Sequence, residues 1–515
     1  MRWNSPAVKS LLAVLALALL GTVGVMAYRA FFAEDTRCAD GVSKKGPRDE
    51  CVGVTDGSFN FMADSDEFTE LSRLIREENR AVVDGEEDYV TLGFILPFTA
   101  GDEIQRGHMV NEVAGAYLAQ HRANHDANSA VPKIRLALAN TGQDSEQWEP
   151  VAAQLVEMAA SDEDNLRAVV GFNVSTDETA AALDYLTGEG IPVVTGPLTA
   201  ENLGHESDDG GEPHRAPNPA RVVPDNDAQG RALRNGLPGI SDLDIDLSKT
   251  HLVRDVRAGD RHLSSLTRVM GNLHGDQNRR VDTFSSPDDV NDTGSLTTDF
   301  ERIITSLCHA SDAEVIYFAG RNVQLRLFVN ALGQHNCERE FTVITISGAS
   351  TLTTDPELDV SALERVTVLY TTNAHPDTWL GNDGIGGSYE EFEDLEELVA
   401  EQELAGTVDL VDSRAITMYD AVAVAVEGIR VKGGEGIPEL EDVTNTWRQM
   451  RGNLKLVGVS GWICLNADGH PGNKAVSIVQ LVPALEGDEV EVRFLGLGWP
   501  DGAPPRADTC PDPNS

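Results

Sequence analysis

Basic residues are scarce in this sequence of 515 residues. It holds 40 Lys and Arg against 84 Asp and Glu, which gives a formal charge of −44. Binding of a polyanion draws its strength from Lys and Arg that displace counterions, so the composition excludes nucleic acid as a partner. Anionic lipid surfaces are disfavoured for the same electrostatic reason. The acidic excess instead favours a soluble, monomeric domain.

Signatures of catalysis are absent as well. The sequence holds no GxSxG elbow, no HExxH motif, no P-loop and no GxGxxG after a strand. The acidic helix expected over Tyr389–Gln402 offers many carboxylates, but acids clustered on one helix are typical of a solvated face. His121 and His125 lie four residues apart on an expected helix, yet no third ligand accompanies them at a matching spacing. We therefore expect no enzyme, no cofactor and no metal site.

Cysteine is rare, and none of the six cysteines is arranged as CxxC. Metal-binding cysteines usually show that spacing, so their pattern does not indicate a metal site. An even number of cysteines on the exported side of an apolar run predicts disulfides. Several pairings are formally open, and we expect the sequential one: Cys38–Cys51, Cys308–Cys337 and Cys464–Cys510.

One long apolar run occurs near the N-terminus, over Leu11–Ala27, and basic residues precede it. Its length is intermediate between a signal-peptide core of about 7–15 residues and a membrane span of about 20. Small residues at its end fit a cleavage site, so a removable signal peptide stays open. We expect residues 1–30 to be an uncleaved signal anchor. The charge bias then gives a single-pass membrane protein with its main domain extracytoplasmic, or a secreted protein if the run is cleaved.

Beyond this run, residues 31–88 are expected to hold a cysteine loop and an amphipathic helix over Asp66–Val83. From Tyr89 on, short β-branched runs alternate with segments of helical period. The expected strands are Tyr89–Leu96, Ile134–Thr141, Leu166–Phe172, Ile191–Thr195, Thr250–Val256, Arg280–Phe284, Glu314–Ala319, Phe341–Ser347 and Arg365–Thr371. The further expected helices are Gly107–His125, Trp148–Ala160, Thr176–Thr187, Arg261–His274, Leu296–Leu307, Asn322–Leu332, Ala415–Val431 and Leu440–Met450. This alternation predicts parallel sheets covered by helices on both faces.

Residues 200–224 interrupt the alternation with glycines, prolines and acids, which indicates a loop and crossover. We therefore predict an α/β protein of two doubly wound parallel-sheet lobes, preceded by the N-terminal helix. The expected domains are lobe 1 over 89–225, lobe 2 over 226–375, return helices that complete lobe 1 within 376–482, and a tail with Cys510 over 483–515. A terminal hairpin is expected from Gly461–Leu465 and Ala475–Val482, because Asn-Ala-Asp-Gly between them is typical turn chemistry.

Four segments together resemble the type 1 periplasmic binding proteins, specifically the branched-chain amino-acid (Leu/Ile/Val)-binding group of ABC transporter substrate-binding proteins. The segments are VTLGFILPFTAGDEIQRGHMVNEVAGAYLAQHRANH from Val90, VVGFNVSTDETAAALDYLTGEGIPVVTGPLTAENL from Val169, AEVIYFAGRNVQLRLFVNAL from Ala313, and YDAVAVAVEGIR from Tyr419 with the later GVSGWICLNADGHPGNKAVSIVQLV. Their order and spacing match the family over about three quarters of the chain, Tyr89–Val482. No single motif among them is diagnostic.

The resemblance implies two lobes joined by hinge strands, with a small ligand held in the cleft between them. In the family, the loop after the third strand gives hydroxyls and N–H groups to a ligand carboxylate, and here that loop holds Ser175 and Thr176. A helix N-terminus suits an anion, but Ser and Thr are also ordinary N-caps, so both roles stay open. The next loop carries Thr195 and Thr199. Thr199 corresponds to a ligand-contacting threonine, and a hydroxyl bonded to its own backbone is the alternative.

The second lobe matches the family less well. Where its amino-acid binders place an aromatic residue over the ligand, this sequence has Arg261 and His262. Gln324 stands where the resemblance puts the acidic partner of a ligand ammonium group. A surface salt bridge for Arg261 and a solvated His262 are the alternatives. These departures argue against an α-amino acid and leave two alternatives open, an anionic ligand or a pocket that has lost its small molecule.

From these observations we expect a membrane-tethered solute-binding protein that captures a small polar ligand, amino-acid-like or a small anion, by hinge closure. The expected partners are this small-molecule ligand, an ABC-type permease, and the membrane through the N-terminal helix. The alternative is a membrane-anchored ligand sensor or protein-interaction scaffold that uses the same fold without transport. Permease and ATPase genes beside this one would support transport.

Overall fold

The computed structural model describes most of the chain from residue 36 onward. The described residues are 36–101, 103–125, 131–201, 203, 219–240, 243, 245–257, 260–275, 280–287, 294–310, 313–337, 339–381, 384–430, 436–447, 449–466, 468–485, 489–506 and 510. The expected anchor and most of the expected crossover loop lie outside them. No helix in the described part is long and apolar enough to cross a membrane.

Strands and helices alternate through the described residues as the sequence pattern predicts. The strands are β1 (Arg37–Ala39), β2 (Val42–Lys45), β3 (Glu50–Thr55), β4 (Tyr89–Leu96), β5 (Lys133–Asn140), β6 (Leu166–Gly171), β7 (Val193–Thr195), β8 (Ala220–Arg221), β9 (Thr250–Asp255), β10 (Val281–Phe284), β11 (Val315–Ala319), β12 (Phe341–Ile344), β13 (Val366–Thr372), β14 (Leu456–Gly458), β15 (Gly461–Ile463), β16 (Val476–Pro483) and β17 (Val490–Gly498). The α-helices are α1 (Asp66–Asp84), α2 (Glu103–His125), α3 (Trp148–Ala159), α4 (Asp177–Gly188), α5 (Asn226–Gly236), α6 (Arg261–His274), α7 (Gly294–His309), α8 (Asn322–Gln334), α9 (Tyr389–Glu401), α10 (Ser413–Arg430) and α11 (Leu440–Trp447).

Capping side chains fix where several of these helices begin. Ser65, Thr176, Asp225 and Asp260 each precede a helix, and each side-chain oxygen accepts a hydrogen bond from a backbone N–H in the first turn. Such a cap satisfies one of the N–H groups that have no partner within the helix. Two of these caps, Thr176 and Asp260, stand at the edge where the two lobes face each other.

Lobe 1 is a three-layer α/β unit. Its eight-stranded sheet has the order β1-β2-β3-β5-β4-β6-β7-β8. The strands from β4 to β8 are parallel, whereas β3 runs antiparallel to β5 and extends one edge. Helices α1, α2 and α10 contribute to the core on one face, and α3 and α4 to the core on the other. The central strands are apolar on both faces because both faces are covered.

Lobe 2 repeats this plan. Its seven-stranded sheet has the order β10-β9-β11-β12-β13-β16-β17. The strands from β9 to β13 are parallel, β16 runs antiparallel to β13, and β17 runs antiparallel to β16 at the edge. Helices α7 and α8 pack on one face, and α5 and α6 on the other. The prediction of two doubly wound lobes is therefore confirmed.

The described part of the chain crosses between the lobes in three segments before the end of β17. The crossings are residues 222–225, 373–388 and 465–475, which lead to α5, to α9 and to β16. The chain then returns toward lobe 1 after β17, because Cys510 is bonded to Cys464 beside β15. The cysteines pair in sequence order, as expected: Cys38–Cys51, Cys308–Cys337 and Cys464–Cys510.

The predicted terminal hairpin is wrong. β15 pairs with β14 in a small two-stranded sheet, whereas β16 pairs with β13 and β17. The described residues between β15 and β16 form an isolated bridge, Leu465 with Pro471, and this segment leads the chain to the other lobe. The stretch expected to be a tail contains β17, and the stretch expected to be a cysteine loop contains β1, β2 and β3.

Candidate ligand-binding cleft

A cavity of about 140 Å³ lies between the lobes. Loops after β4, β6 and β7 of lobe 1 face loops after β9, β11 and β12 of lobe 2 across it. In open α/β sheets, ligands bind at this carboxyl edge of the strands. The residues that line the cavity are Pro97, Ile104, Gln105, His108, Met109, Asn173, Val174, Ser175, Pro197, Thr199, His262, Arg321, Asn322, Ser350, Thr351, Asn373, Ser413 and Arg414.

Polar groups of the loop after β6 form one part of the lobe 1 wall. Gly171 ends that strand at φ +129°, where a Cβ would lie 2.4 Å from the carbonyl oxygen of Ile95, so only glycine fits. The Asn173 amide donates to the Glu112 carboxylate at 2.7 Å. Its Oδ1 is buried and has no hydrogen-bond partner among the described residues. A buried acceptor without a partner carries a free-energy penalty, which a bound ligand with a suitable donor would remove.

A charged network at the N-terminal ends of α2 and α10 forms the other part of the lobe 1 wall. His108 Nδ1 lies 2.6 Å from Asp412 Oδ2, and Arg414 donates to buried Glu112 at 3.1 Å. Burial raises the pKa of Glu112 despite the charge of Arg414. Burial would also raise the pKa of Asp412, but the charge and hydrogen bond of His108 lower it. The buried Nε2 of His108 has no partner in the described part of the chain and belongs to the cavity wall.

The lobe 2 wall presents a guanidinium group and an imidazole ring. Arg321, just before α8, donates from Nε and Nη2 to both oxygens of Asp260, at 2.6 and 2.9 Å. Burial alone would raise the pKa of Asp260, but these hydrogen bonds and the Arg321 charge lower it to about 2. Burial, and then the nearby Arg321 charge, lowers the pKa of His262 to about 4. At neutral pH, His262 is therefore uncharged and Arg321 carries the positive charge on this side.

Comparisons with known proteins agree with this architecture. The isoleucine-bound branched-chain amino acid transporter substrate-binding protein LivJ of Streptococcus pneumoniae matches with a TM-score of 0.54 at 13% identity, over 81% of this chain and 100% of that chain. The chain has the type 1 periplasmic-binding-protein fold. The resemblance seen in the sequence is thus confirmed at the level of the fold.

Two further structures with the type 1 periplasmic-binding-protein fold match similarly. A leucine-bound ABC transporter substrate-binding protein from Desulfitobacterium hafniense gives a TM-score of 0.53 at 16% identity, over 79% of this chain and 100% of that chain. A benzoate-bound solute-binding protein from R. palustris gives a TM-score of 0.51 at 15% identity, over 82% of this chain and 98% of that chain. The chain matches no protein-family model and no curated protein sequence.

Four of the expected site residues lie in lobe 1, and they separate into two pairs. Ser175 and Thr199 line the cleft. Thr176 does not: its hydroxyl caps α4 and accepts the N–H of Thr179 at 3.1 Å. Thr195 is buried in β7, where its hydroxyl donates to the carbonyl of Ala220 at 3.4 Å. Ser175 and Thr199 therefore lie together in the cleft wall, whereas Thr176 and Thr195 lie outside it.

In lobe 2, the expected site residues are displaced from the cleft by a few positions. Arg261 forms an ion pair with Asp177 of lobe 1, and the adjacent His262 lines the cleft instead. Gln324 is buried in α8, and its Oε1 has no hydrogen-bond partner among the described residues. It is not part of the cavity wall, where Arg321 stands in its place.

Sequence reasoning missed His108, Asn173, Arg321 and Arg414. Asn173 and Arg321 each lie two residues after the end of a correctly predicted strand. Ligands bind at such strand ends, so a search for polar residues there could have identified both. His108 and Arg414 lie 306 positions apart in the sequence. No local signal connects them, because only the packing of α2 on α10 brings them to the same wall.

Proposed function

We propose that this chain is an extracytoplasmic solute-binding protein that captures a small carboxylate-bearing solute between its lobes and passes it to an ABC-type importer. The observation that carries the proposal is the composition of the cleft wall. Arg414 from lobe 1 and Arg321 from lobe 2 both line it, together with hydroxyl and amide groups. None of the described lining residues is Asp or Glu.

This wall favours an acid without an amino group. A guanidinium group matches a carboxylate in shape and charge. An α-amino acid would also bring an ammonium group, and an ammonium group that loses water needs an anionic or well-aligned acceptor. The carboxylates near the cleft, Glu112, Asp260 and Asp412, are already bonded to Arg414, Arg321 and His108. Among the described residues, the ammonium group would therefore have no carboxylate of its own.

The volume of the cleft limits the size of the solute. Pockets for drug-sized ligands have about 300–1,000 Å³, whereas a cavity of about 150 Å³ accommodates benzene. The cleft, at about 140 Å³, suits one small ring or a short branched chain. The neighbours with the same fold were solved with isoleucine, leucine and benzoate. All three are carboxylates of this size, and benzoate is the one without an amino group.

Binding between lobes provides the mechanism of capture. A carboxylate that contacts Arg321 and Arg414 together stabilises only the conformation in which the lobes are close. Ligand therefore shifts the population toward the closed form by its differential affinity for the two states. The N-terminal apolar run is proposed to tether the chain to the membrane, and the three disulfides suit an oxidising extracytoplasmic compartment.

Thermal-shift measurements on the full chain test the ligand class. Benzoate and small branched-chain carboxylic acids are compared with leucine and with uncharged benzamide at one pH. We expect the acids to raise the melting temperature by mass action, and leucine and benzamide to leave it unchanged. A response to leucine that exceeds the response to the acids would contradict the proposal, as would a set of acids with no effect.

A substitution tests the cleft itself. Arg321→Gln removes the lobe 2 guanidinium group, and we expect the affinity for a responding acid to fall by about 10- to 100-fold, because hydrogen bonds to charged groups contribute about 1.5–3 kcal/mol. Isothermal titration calorimetry measures the change.

Arg257→Gln is the matched control. Arg257 also donates to Asp260, at 2.5 Å, but it does not line the cleft. We expect this variant to keep the wild-type affinity. Equal losses in both variants would show that Arg321 acts only by holding Asp260, and full binding by Arg321→Gln would refute its contact with the ligand.

A further inference from the structure

Two histidines and a glutamate meet on the outer side of lobe 1, on the helical layer over its sheet. His121 and His125 lie one turn apart on α2, and Glu78 faces them from α1. Glu78 Oε2 lies 3.3 Å from His121 Nδ1 and 3.2 Å from His125 Nε2. One ligand atom from each residue lies within 4.8 Å of the others. The third ligand that the sequence spacing failed to supply comes from a different helix.

We propose that Glu78, His121 and His125 form a site for a divalent transition-metal ion of the zinc type. Zinc bonds of about 2.0–2.1 Å in tetrahedral geometry separate neighbouring ligand atoms by about 3.3 Å. The separations of Glu78 Oε2 from His121 Nδ1 and from His125 Nε2, 3.3 and 3.2 Å, are close to that distance. Two imidazoles and one carboxylate are a typical zinc ligand set, whereas Ca²⁺ and Mg²⁺ prefer oxygen ligands alone.

Surrounding side chains already hold the ligands in place. Asn124 donates to Glu78 Oε1 at 2.8 Å. Glu78 Oε2 faces both histidines, and His125 Nε2 also lies 3.2 Å from Oε1. Gln402, just after α9, lies with its Nε2 3.1 Å from His121 Nε2, and its Oε1 accepts the Tyr117 hydroxyl at 2.7 Å. Partners of this kind fix ring orientation and raise metal affinity. They leave Nδ1 of His121 as the atom that faces the site.

Exposure gives the ion an entry path and an open coordination position. The Glu78 side chain is 8% exposed, whereas the His125 side chain is 56% exposed. Three protein ligands leave the fourth tetrahedral position to water or to an incoming group.

The site is separate from the solute cleft. His121 lies 13 positions beyond His108 on α2, which is about 20 Å along a helix. A bound ion would join α1 to α2 and so clamp the helix that follows the first disulfide loop onto lobe 1. Metal binding is thus expected to stabilise the fold without changing solute affinity.

Zinc titration of the full chain tests the proposal. Competition with a chromophoric chelator measures affinity, and hydrogen exchange measures protection of α1. We expect one Zn²⁺ per chain, a rise in melting temperature by mass action and slower exchange in α1. His125→Asn changes an exposed side chain and is expected to lose all three effects. Gln402→Leu is expected to weaken zinc binding by about 10-fold, as outer partners of metal ligands do.

His309→Asn is the matched control, because His309 is also an exposed helical histidine and lies on α7 of lobe 2. This variant is expected to bind zinc like the wild type. Absence of stoichiometric binding to the wild type would overturn the proposal. Wild-type zinc affinity in His125→Asn would overturn it too, since the three side chains would then be a hydrogen-bonded cluster only. Neither of these results depends on whether the protein binds a solute in the cleft.

Discussion

Thr176 and Thr199 belong to the same lobe but differ in their position relative to the cleft. Thr176 Oγ1 accepts the N–H of Thr179 and closes the first turn of α4. Thr199 lies in the loop after β7, is 4% exposed and lines the cleft. The first hydroxyl therefore belongs to the fold and the second to the proposed site.

Alanine substitutions separate these two roles. Thr199→Ala is expected to weaken binding of a carboxylate solute by about 10-fold or more, since it removes a donor to a charged group, and to leave unfolding nearly unchanged. Thr176→Ala is expected to lower the free energy of unfolding by about 1 kcal/mol, the typical value of an N-cap, and to keep the affinity.

Calorimetric binding curves and urea unfolding curves of both variants check this pair of expectations. If Thr176→Ala lost affinity while its stability was unchanged, the residue would contact the ligand as the family resemblance implied. If Thr199→Ala bound as tightly as the wild type, its hydroxyl would have no part in recognition.

Among the expected site residues, Ser175 and Thr199 follow strand ends in the local sequence and line the cleft, and their contact with a ligand stays a prediction. In lobe 2 the cleft is lined by His262 rather than the expected Arg261, and by Arg321 rather than the expected Gln324. Periodicity locates a strand end, but it does not give the direction of each side chain beyond that end. Sequence reasoning failed for His108 and Arg414. Their proximity depends on tertiary packing that no short segment encodes.

At the scale of elements, the contact between α2 and α10 decides how those two residues meet. The two helices run in the same direction. They are in close contact at Gly115, where a Cβ would lie 2.1 Å from the carbonyl oxygen of Ala415. The absence of a side chain at this position lets the N-terminal ends of both helices reach the cleft side by side.

Gly115→Ala is therefore expected to destabilise lobe 1. Overpacking in a close contact costs about 1–3 kcal/mol, and the obstacle here is backbone rather than a flexible side chain. The expected result is a lower urea midpoint together with weaker solute binding, because Asp412 and Arg414 follow α10 when it moves.

Gly107→Ala on the same helix is the control. Gly107 is exposed, and a Cβ there would meet nothing within 4 Å. Alanine at such a position is expected to stabilise the helix by about 0.5–1 kcal/mol. Equal effects of the two substitutions would contradict the proposed role of the close approach.

Elements of the two parallel sheets could be predicted because their apolar runs are bounded by turns and separated by helical periodicity. The antiparallel additions could not be predicted as reliably. β15 and β16 flank an Asn-Ala-Asp-Gly turn that favours a hairpin, yet the chain uses it as a lobe crossing, so tertiary pairing overrode local turn chemistry. β17 alternates exposed and half-buried residues, a pattern the sequence did contain.

At the scale of the whole molecule, ion pairs join the lobes beside the cleft. Arg261 of α6 pairs with Asp177 at the start of α4, and Arg268 of α6 lies 2.9 Å from Glu201 in the loop after β7. Both pairs exist only while the lobes are close. They therefore add to the stability of the closed form before any solute is present.

The double variant Arg261→Gln, Arg268→Gln is expected to open the ligand-free protein. Exposed ion pairs contribute up to about 1 kcal/mol, so solute affinity is expected to fall by about fivefold as the closed population decreases. Small-angle X-ray scattering should show a larger radius of gyration without solute, and the wild-type value at saturation.

Arg231→Gln is the matched control, because it removes an exposed ion pair with Asp227 that lies within α5 alone. This change is expected to alter neither the radius of gyration nor the affinity. A double variant with unchanged dimensions and affinity would show that the two pairs do not bias closure.

The bond between Cys464 and Cys510 has a mechanical consequence for this closure. The bond closes a covalent ring between cysteines that are 46 positions apart in the sequence. From Cys464 the chain passes along the 465–475 crossing to lobe 2, forms β16 and β17, and returns to Cys510. A change in the angle between the lobes must therefore deform both the 465–475 crossing and the segment that returns after β17. Reduction of this bond is therefore expected to make the hinge easier to bend and to weaken retention of a solute, although neither cysteine lines the cleft.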